Sequence, residues 1–284
     1  MQPPSMLQVI PLHGWPIFDG RTPTLSFERI LEDWKKNSDA ISIELGDIIA
    51  ISHTFISKIY GFYRSLDQIE VSPLALALEP ICKKDPKIIQ MILDESKDII
   101  RIGEVIITEN RMGIIGANSG IDKSNIADPN TYIYLPPTLP KVAEEIGQIF
   151  SKSYGFNIPI IITDSLGKPF RLGATGIAVT TWGLNAFQNL RGQKDLFGYE
   201  MQHSELAIGD SLATMADLIM GQTAEGIPMA LIRGWKNDSH KISHKYNSLQ
   251  RSPEKDLFRK RDWANLDLSL QKELLHFLEN KVIK

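Results

Sequence analysis

Cysteine is the scarcest chemically useful residue in this sequence: 284 residues contain one, Cys82. That excludes an intrachain disulfide and a cysteine-built metal centre, and it fits a reducing compartment. Long apolar runs are missing too, and none approaches the ~20 residues that a membrane span needs. The opening Met1-Gln2-Pro3-Pro4-Ser5 holds neither a basic nor an apolar stretch, so no secretory leader is expected. The chain is expected in the cytoplasm, without a membrane partner. No charge of one sign prevails: 31 basic against 34 acidic residues leave a net charge of −3. Such a balance draws in neither nucleic acid nor anionic lipid. Neither a GxxxxGK[ST] nor a GxGxxG segment occurs, so a bound nucleotide would be held by other loops. Six histidines are present, but only His240 and His244 are four apart, and their segment reads as loop rather than helix. Cys82 follows Leu74, Leu76, Leu78 and Ile81, which marks it as a small core hydrophobe rather than a nucleophile.

What is present is ordinary globular material, 43% hydrophobic, enough for one large core or two small ones. A first strand is expected at Leu7–Leu12. Phe27, Ile30, Leu31 and Trp34 fall on one face of a helix opened by Thr24-Leu25-Ser26. Ile48–Ile51 reads as a short buried strand. Asp85-Pro86 starts a helix, with Asp as cap and Pro at the first position, and Ile88, Ile89, Ile92, Ile99 and Ile100 are read as its buried stripe. Val105–Thr108 and Met112–Gly116 read as a hairpin turned by Glu109-Asn110-Arg111. Further helices are expected at 138–150, at 205–220 with Ile208, Leu212, Met215 and Ile219 inward, and at 266–282. Further strands are expected at 158–164, 174–181 and 228–234, with 164–169 as a polar turn. This irregular interleaving predicts an α+β fold with mixed sheets, not a strict βαβ series.

Two acidic turns stand out, each after a strand. One is Asn118-Ser119-Gly120-Ile121-Asp122-Lys123-Ser124-Asn125. The other is Thr163-Asp164-Ser165-Leu166-Gly167-Lys168-Pro169-Phe170-Arg171. Magnesium and manganese take oxygen ligands, one or two carboxylates plus substrate phosphates. Asp122, Asp164 and Ser165 can supply such ligands, and Lys168 and Arg171 can face phosphate or carboxylate oxygens. The plainer reading is turn chemistry, which favours the same residues. Lys58, which ends Ser52-His53-Thr54-Phe55-Ile56-Ser57-Lys58, is a third candidate for phosphate contact, against the plainer reading of a solvated lysine.

Seven segments in order resemble the coenzyme F-420-0:L-glutamate ligases, the F-420 γ-glutamyl ligase family. They are Ile10–Ile17, Gly46–Ile49 leading to Ile56-Ser57-Lys58, Asn118–Asn125, Ile162–Gly173, Arg191–Gly198, Leu218–Gly221, and Gly226-Ile227-Pro228 with Arg233-Gly234. The likeness covers roughly residues 8 to 235 and divides the chain into a ligase-like domain, 1–235, and a C-terminal extension, 236–284, ending in an amphipathic helix. It implies the family's α+β fold and an intertwined homodimer. It implies GTP as co-substrate, Mg²⁺ or Mn²⁺, a place for K⁺, and amide formation between L-glutamate and the carboxylate of F-420-0 through an acyl phosphate. Carried over residue by residue, Asp122, Asp164, Ser165 and Gln222 correspond to metal ligands. Trp15, Pro16, Ile17, Phe18, His53, Thr54, Lys58, Asn125, Met220, Gly221, Gln222, Gly226 and Ile227 correspond to nucleotide contacts, and Asp122, Asp164 and Lys58 to the catalytic set. Some positions depart from the family pattern. Ser165 stands for a threonine and keeps its hydroxyl; Gln222 stands where an acid can occur; Trp182 and Gln202-His203-Ser204 replace smaller or more apolar residues and bear on which acceptor fits. Other outcomes are the same ligation on a different acceptor, or a nucleotide-binding protein without catalysis.

Overall fold

The computed structural model describes residues 6–18, 26–37, 41–235 and 249–282. Thr24, Leu25, His240 and His244, invoked above, lie outside them. In chain order the first elements are β1 (Gln8–Leu12), α1 (Phe27–Asn37), β2 (Ile48–Ser52), α2 (His53–Tyr60), β3 (Tyr63–Ser65), α3 (Pro73–Cys82) and α4 (Pro86–Glu95). The next are β4 (Ser96–Arg101), β5 (Ile107–Asn110), β6 (Ile115–Ala117), β7 (Thr131–Ile133), α5 (Leu139–Tyr154) and β8 (Ile160–Gly167). The chain ends with β9 (Ala174–Trp182), β10 (Phe187–Asn189), β11 (Glu205–Ala207), α6 (Ile208–Met220), β12 (Met229–Arg233) and α7 (Leu268–Val282). The class is α+β, as the pattern of the sequence predicts. Among the described residues no helix is long and apolar enough to cross a membrane. The chain forms two compact units. One takes residues 1–17, 24–59 and 138–249; the other takes 18–23, 60–137 and 250–284.

The first unit is built on a five-stranded sheet of order β1-β12-β2-β8-β9. Only β2 and β8 run parallel; the other neighbours are antiparallel. Side chains alternate across a strand. Ile48 and Ala50 therefore join Ile161, Ala230 and Ile232 in a cluster under α6, while the intervening Ile49 and Ile51, also fully buried, face the opposite side. The sheet's continuous isoleucine runs follow from this two-sided burial. Gly209, Ala213 and Ala216 are the residues that α6 lays down: a Cβ on Gly209 would come within 3.0 Å of Ala186 and 3.2 Å of Ala178. Ile208 and Leu212 are buried as expected, and the small residues beside them, not Met215 and Ile219, complete the buried face; Ile219 is exposed. The first three residues of the helix expected at 205–220 instead form β11, paired with β10. Asp47 and Arg233, 186 positions apart, tie the entry of β2 to the end of β12: Nε donates to Oδ1 at 2.9 Å and Nη2 to Oδ2 at 2.7 Å. Two pieces of the family-like pattern thus meet as a structural ion pair.

The second unit has its own core, in which Leu78, Ile89 and Ile92 pack with Trp263, Leu270 and Leu274. Asp85 caps α4 as expected, its carboxylate accepting the Lys87 N–H at 2.8 Å. Ile99 and Ile100 belong to β4 rather than to α4, because the helix ends at Glu95, where the Ser96 hydroxyl donates back to the Ile92 carbonyl at 2.6 Å. The hairpin β5–β6 turns later than its sequence suggests. Glu109 and Asn110 are still strand, and Asn110 Oδ1 accepts the N–H groups of Met112 and Ile114 at 2.9 and 3.0 Å. Cys82 is fully buried, and burial pushes its thiol pKa up, against a smaller opposite effect of Lys84. A raised thiol is a poor nucleophile.

Candidate functional site

β2 and β8 run side by side with Ser52 opposite Thr163. The residues that follow each strand's pairing, His53 and Asp164, are therefore neighbours, and His53 Nε2 lies 3.0 Å from Asp164 Oδ1. Ligand crevices in such sheets lie outside the carboxyl ends of parallel strands. Here that end is occupied by the start of α2, whose first N–H groups have no partner within the helix. His53 is buried, and the Ser52 and Thr54 hydroxyls are 2.7 Å apart. Lys58, in the last turn of α2, is 8% exposed. It is not the solvated surface lysine of the plainer reading.

The polar turn expected at 164–169 begins later, since β8 continues to Gly167 opposite Ala174. Asp164 Oδ1 also accepts the Ser165 N–H at 2.7 Å. Ser165 Oγ lies 3.1 Å from Asp217 Oδ1 and 3.0 Å from Gln222 Oε1, and Gln222 Nε2 donates to the same Asp217 oxygen at 2.7 Å. Asp217, on the last turn of α6, is the member of this group that sequence reading missed. Its signal was a carboxylate seven residues after Asp210 in an otherwise apolar helix. Burial raises the Asp217 pKa first of all; the Ser165 and Gln222 hydrogen bonds oppose this, and the nearby Asp164 charge adds to it. Asp210 is likewise raised by burial, while the hydrogen bond from Ala178 N–H, at 2.9 Å, and the charge of Lys168 oppose it.

The remaining candidates divide by unit. Trp15 is 5% exposed and stacks on Trp34 at 4.6 Å between centroids, with Phe55 edge-on at 5.9 Å. Its buried indole N–H meets no acceptor among the described residues. Pro16 and Ile17 stand out to solvent, Ile17 at 90% exposure. Met220, the last residue of α6, is buried. The turn after it, from Gly221, folds on the Glu225 carboxylate, which accepts the Thr223 N–H at 2.7 Å and its hydroxyl at 3.0 Å; Gly226 is exposed and Ile227 partly buried. Lys168 and Arg171 are exposed beyond β8. Trp182 is buried, with its ring filling the space that a side chain on Gly147 of α5 would need. It packs β9 against α5.

Asp122, Asn125 and Phe18 belong to the second unit. Asp122 is bridged through its backbone to Ile133, with N···O distances of 3.1 and 2.9 Å. Its carboxylate accepts the N–H groups of Lys123 and Ser124 at 2.6 and 2.8 Å, together with the Ser124 hydroxyl. Asn125 is exposed at φ 57°, and Phe18 is buried.

A hard divalent ion requires oxygen donors and tolerates, indeed relieves, adjacent carboxylates. The group around Asp164 fits: two carboxylates feel each other's charge, with a hydroxyl and an amide oxygen beside them. Among the described residues no three His, Cys, Asp or Glu side chains form a metal cluster by themselves, so Ser165 and Gln222 are needed to complete the donor set.

The chain is similar to the coenzyme F420:L-glutamate ligase of Methanopyrus kandleri, 40% identical over 225 residues, which cover 78% of this chain and 89% of the other. It is 46% identical over 193 residues to the enzyme of that name from Methanocaldococcus jannaschii, covering 68% and 77%. With the one from Methanothermobacter thermautotrophicus it shares 39% over 215 residues, covering 75% and 85%. The profile of the F420-0:Gamma-glutamyl ligase family matches residues 26–234, and the chain belongs to that family.

Proposed function

We propose that this protein is an amide-forming ligase that joins L-glutamate to the carboxylate of coenzyme F-420-0, using GTP and a divalent metal, Mg²⁺ or Mn²⁺. Membership of the family supports the ligase chemistry. The observation that carries the finer reading is the pairing of His53 with Asp164 at 3.0 Å, beside Ser165, Asp217 and Gln222, at the carboxyl ends of two parallel strands. Asp164, Ser165 and Gln222 would hold the metal ion. The bound ion would neutralise charge on the phosphoryl group in transfer, the main catalytic need of that reaction. The start of α2 turns the positive end of a helix to phosphate oxygens, and Lys58 lies in the last turn of the same helix. His53 holds the Asp164 carboxylate in place. Trp15, Pro16 and Ile17, with Gly221, Gly226 and Ile227, would wall the nucleotide; Asp122 and Asn125 are candidates on their likeness to the family pattern alone.

A carboxylate is a poor acylating agent, because its leaving group would be oxide. Attack of its oxygen on the γ-phosphorus of GTP expels GDP and leaves an acyl phosphate. The glutamate amine then attacks the acyl carbon, expels phosphate and loses a proton. No protein nucleophile takes part, which fits the buried Cys82. F-420-0 labelled with ¹⁸O in the reacting carboxylate tests this route. Label in the released phosphate is expected, one oxygen per amide formed; unlabelled phosphate, with that oxygen found in water or in GMP, would contradict it. We also propose that the protein works as a cytoplasmic homodimer. Leu196 and Phe197, 98% and 97% exposed at the tip of the β10–β11 hairpin, are suited to cover by a second copy. A monomeric mass by light scattering would contradict that.

A further inference from the structure

α6 carries three polar side chains on the face it turns to β9: Asp210, Thr214 and Asp217, at i, i+4 and i+7. The first two serve the strand itself. Asp210 accepts the Ala178 N–H at 2.9 Å, and Thr214 Oγ1 donates to the Gly176 carbonyl at 2.7 Å. Asp217 does not follow them. It turns to the end of β8 and to the loop after its own helix, and one oxygen, Oδ1, takes both Ser165 Oγ at 3.1 Å and Gln222 Nε2 at 2.7 Å. Gly176 lets it do so: a Cβ there would lie 2.5 Å from the Asp217 Cβ and 2.8 Å from the Ala213 carbonyl oxygen.

We propose that Asp217 is a positioning residue for a divalent cation: it orients the Ser165 hydroxyl and the Gln222 amide as the oxygen ligands that stand beside Asp164. The inference rests on the reading of that group as a cation site, and it concerns a residue which that reading counts within the group but does not name as a ligand. The physical reason lies in what each ligand can present. A glutamine amide offers an oxygen at one end and two N–H donors at the other, and only the oxygen can ligate. Donation of Nε2 to Asp217 settles which end turns outward. A hydroxyl has one proton and two lone-pair sites. Its proton can go to Asp217 Oδ1 at 3.1 Å or to Gln222 Oε1 at 3.0 Å; giving it to the carboxylate keeps the lone pairs of Ser165 and the Gln222 oxygen for a cation. Outer partners of this kind typically alter metal affinity by about 10–100-fold.

The test uses the full chain and Mn²⁺ alone, with the free ion counted by electron paramagnetic resonance. Asp217→Asn keeps the volume but offers an amide to Gln222 and Ser165; Asp217→Ala removes the acceptor and serves as the second variant. Both are compared with wild type, with Ser165→Ala/Gln222→Ala, and with that pair carrying Asp217→Asn. We expect the Asp217 variants to bind Mn²⁺ about 10–100-fold more weakly, with an unchanged melting temperature and unchanged metal-free GTP affinity. In the Ser165→Ala/Gln222→Ala background, Asp217→Asn should cost almost nothing more, because its effect passes through those two residues. Wild-type Mn²⁺ affinity in both Asp217 variants overturns the proposal. So does an equal loss in the double-variant background, which would make Asp217 a direct ligand. A wild-type protein that binds no Mn²⁺ would instead remove the cation site itself, and the proposal with it.

Discussion

His53 and Asp164, 111 positions apart in the chain, sit with Nε2 and Oδ1 3.0 Å from each other because β2 and β8 run parallel with Ser52 opposite Thr163. One strand pairing thus brings together the head of α2, with Lys58 further along it, and the acidic end of β8. The remaining members of the group, Asp217 and Gln222, arrive from the far end of α6. The site is a product of topology.

Lys58 lies buried in the last turn of α2. A hydrogen bond to a charged group contributes about 1.5–3 kcal/mol, so Lys58→Ala is expected to weaken GTP binding roughly ten- to a hundredfold. Calorimetric titration measures this. Unchanged GTP affinity would take Lys58 out of the nucleotide site.

Gly176 allows α6 to lie close on β9. Gly176→Ala must push the Ala213 carbonyl and Asp217 outward, and overpacking of this kind costs about 1–3 kcal/mol. Urea unfolding gives the loss. Stability equal to wild type would mean that helix and strand are not held at this separation.

We propose that the C-terminal segment is an integral part of its unit rather than an appendage, since Trp263, Leu270, Leu274 and Leu278 lie in that unit's core. Leu274 is fully buried, and Leu274→Ala is expected to cost about 2–5 kcal/mol in chemical unfolding. A change within about 0.5 kcal/mol, the range of a surface substitution, would contradict this.

Lys281 closes the carboxyl end of α4, where Nζ donates to the carbonyls of Leu93, Asp94 (3.0 Å) and Ser96 (2.7 Å). Burial pulls its pKa from 10.5 to about 8; Asp94 and Glu95 hold it up, and Arg111 adds to the pull. Between those two values the unfolded chain holds the proton and the folded chain has released it, so the unfolded state binds more protons and stability rises with pH. Below about pH 8 both states carry the proton, and the cost of burying the charge is present in full. Unfolding curves of wild type and Lys281→Met are expected to diverge in slope from about pH 8 to 10.5, the wild type rising more steeply. Parallel curves would contradict the assignment.

Much of this was legible in the sequence where the signal was local. The four residues read as the buried face of α1, Phe27, Ile30, Leu31 and Trp34, are the four that the helix buries, because helical spacing alone decides that face. The cap at Asp85 and the isoleucine strands were legible for the same reason. α6 was legible in half: Ile208 and Leu212 are buried as expected, but Met215 and Ile219 give way to Gly209, Ala213 and Ala216, which carry little hydrophobic signal but permit close packing. The strand β11 was hidden since its pairing with β10 is a relation between segments 187–189 and 205–207. At the site, Asp164 and Ser165 were visible as an acidic turn after a strand. Asp217 was not, since its role depends on the fold bringing α6 to β8, and a lone carboxylate on a helix ordinarily reads as a solvated face.

Mass spectrometry of a ligation mixture tests the central claim most directly: purified chain, GTP, Mg²⁺ or Mn²⁺, L-glutamate and F-420-0, with Asp164→Asn alongside. The account predicts a glutamyl adduct that needs both GTP and metal and is lost in the folded variant. No adduct from a wild-type preparation that binds GTP and metal, or an equal yield from Asp164→Asn, would contradict it.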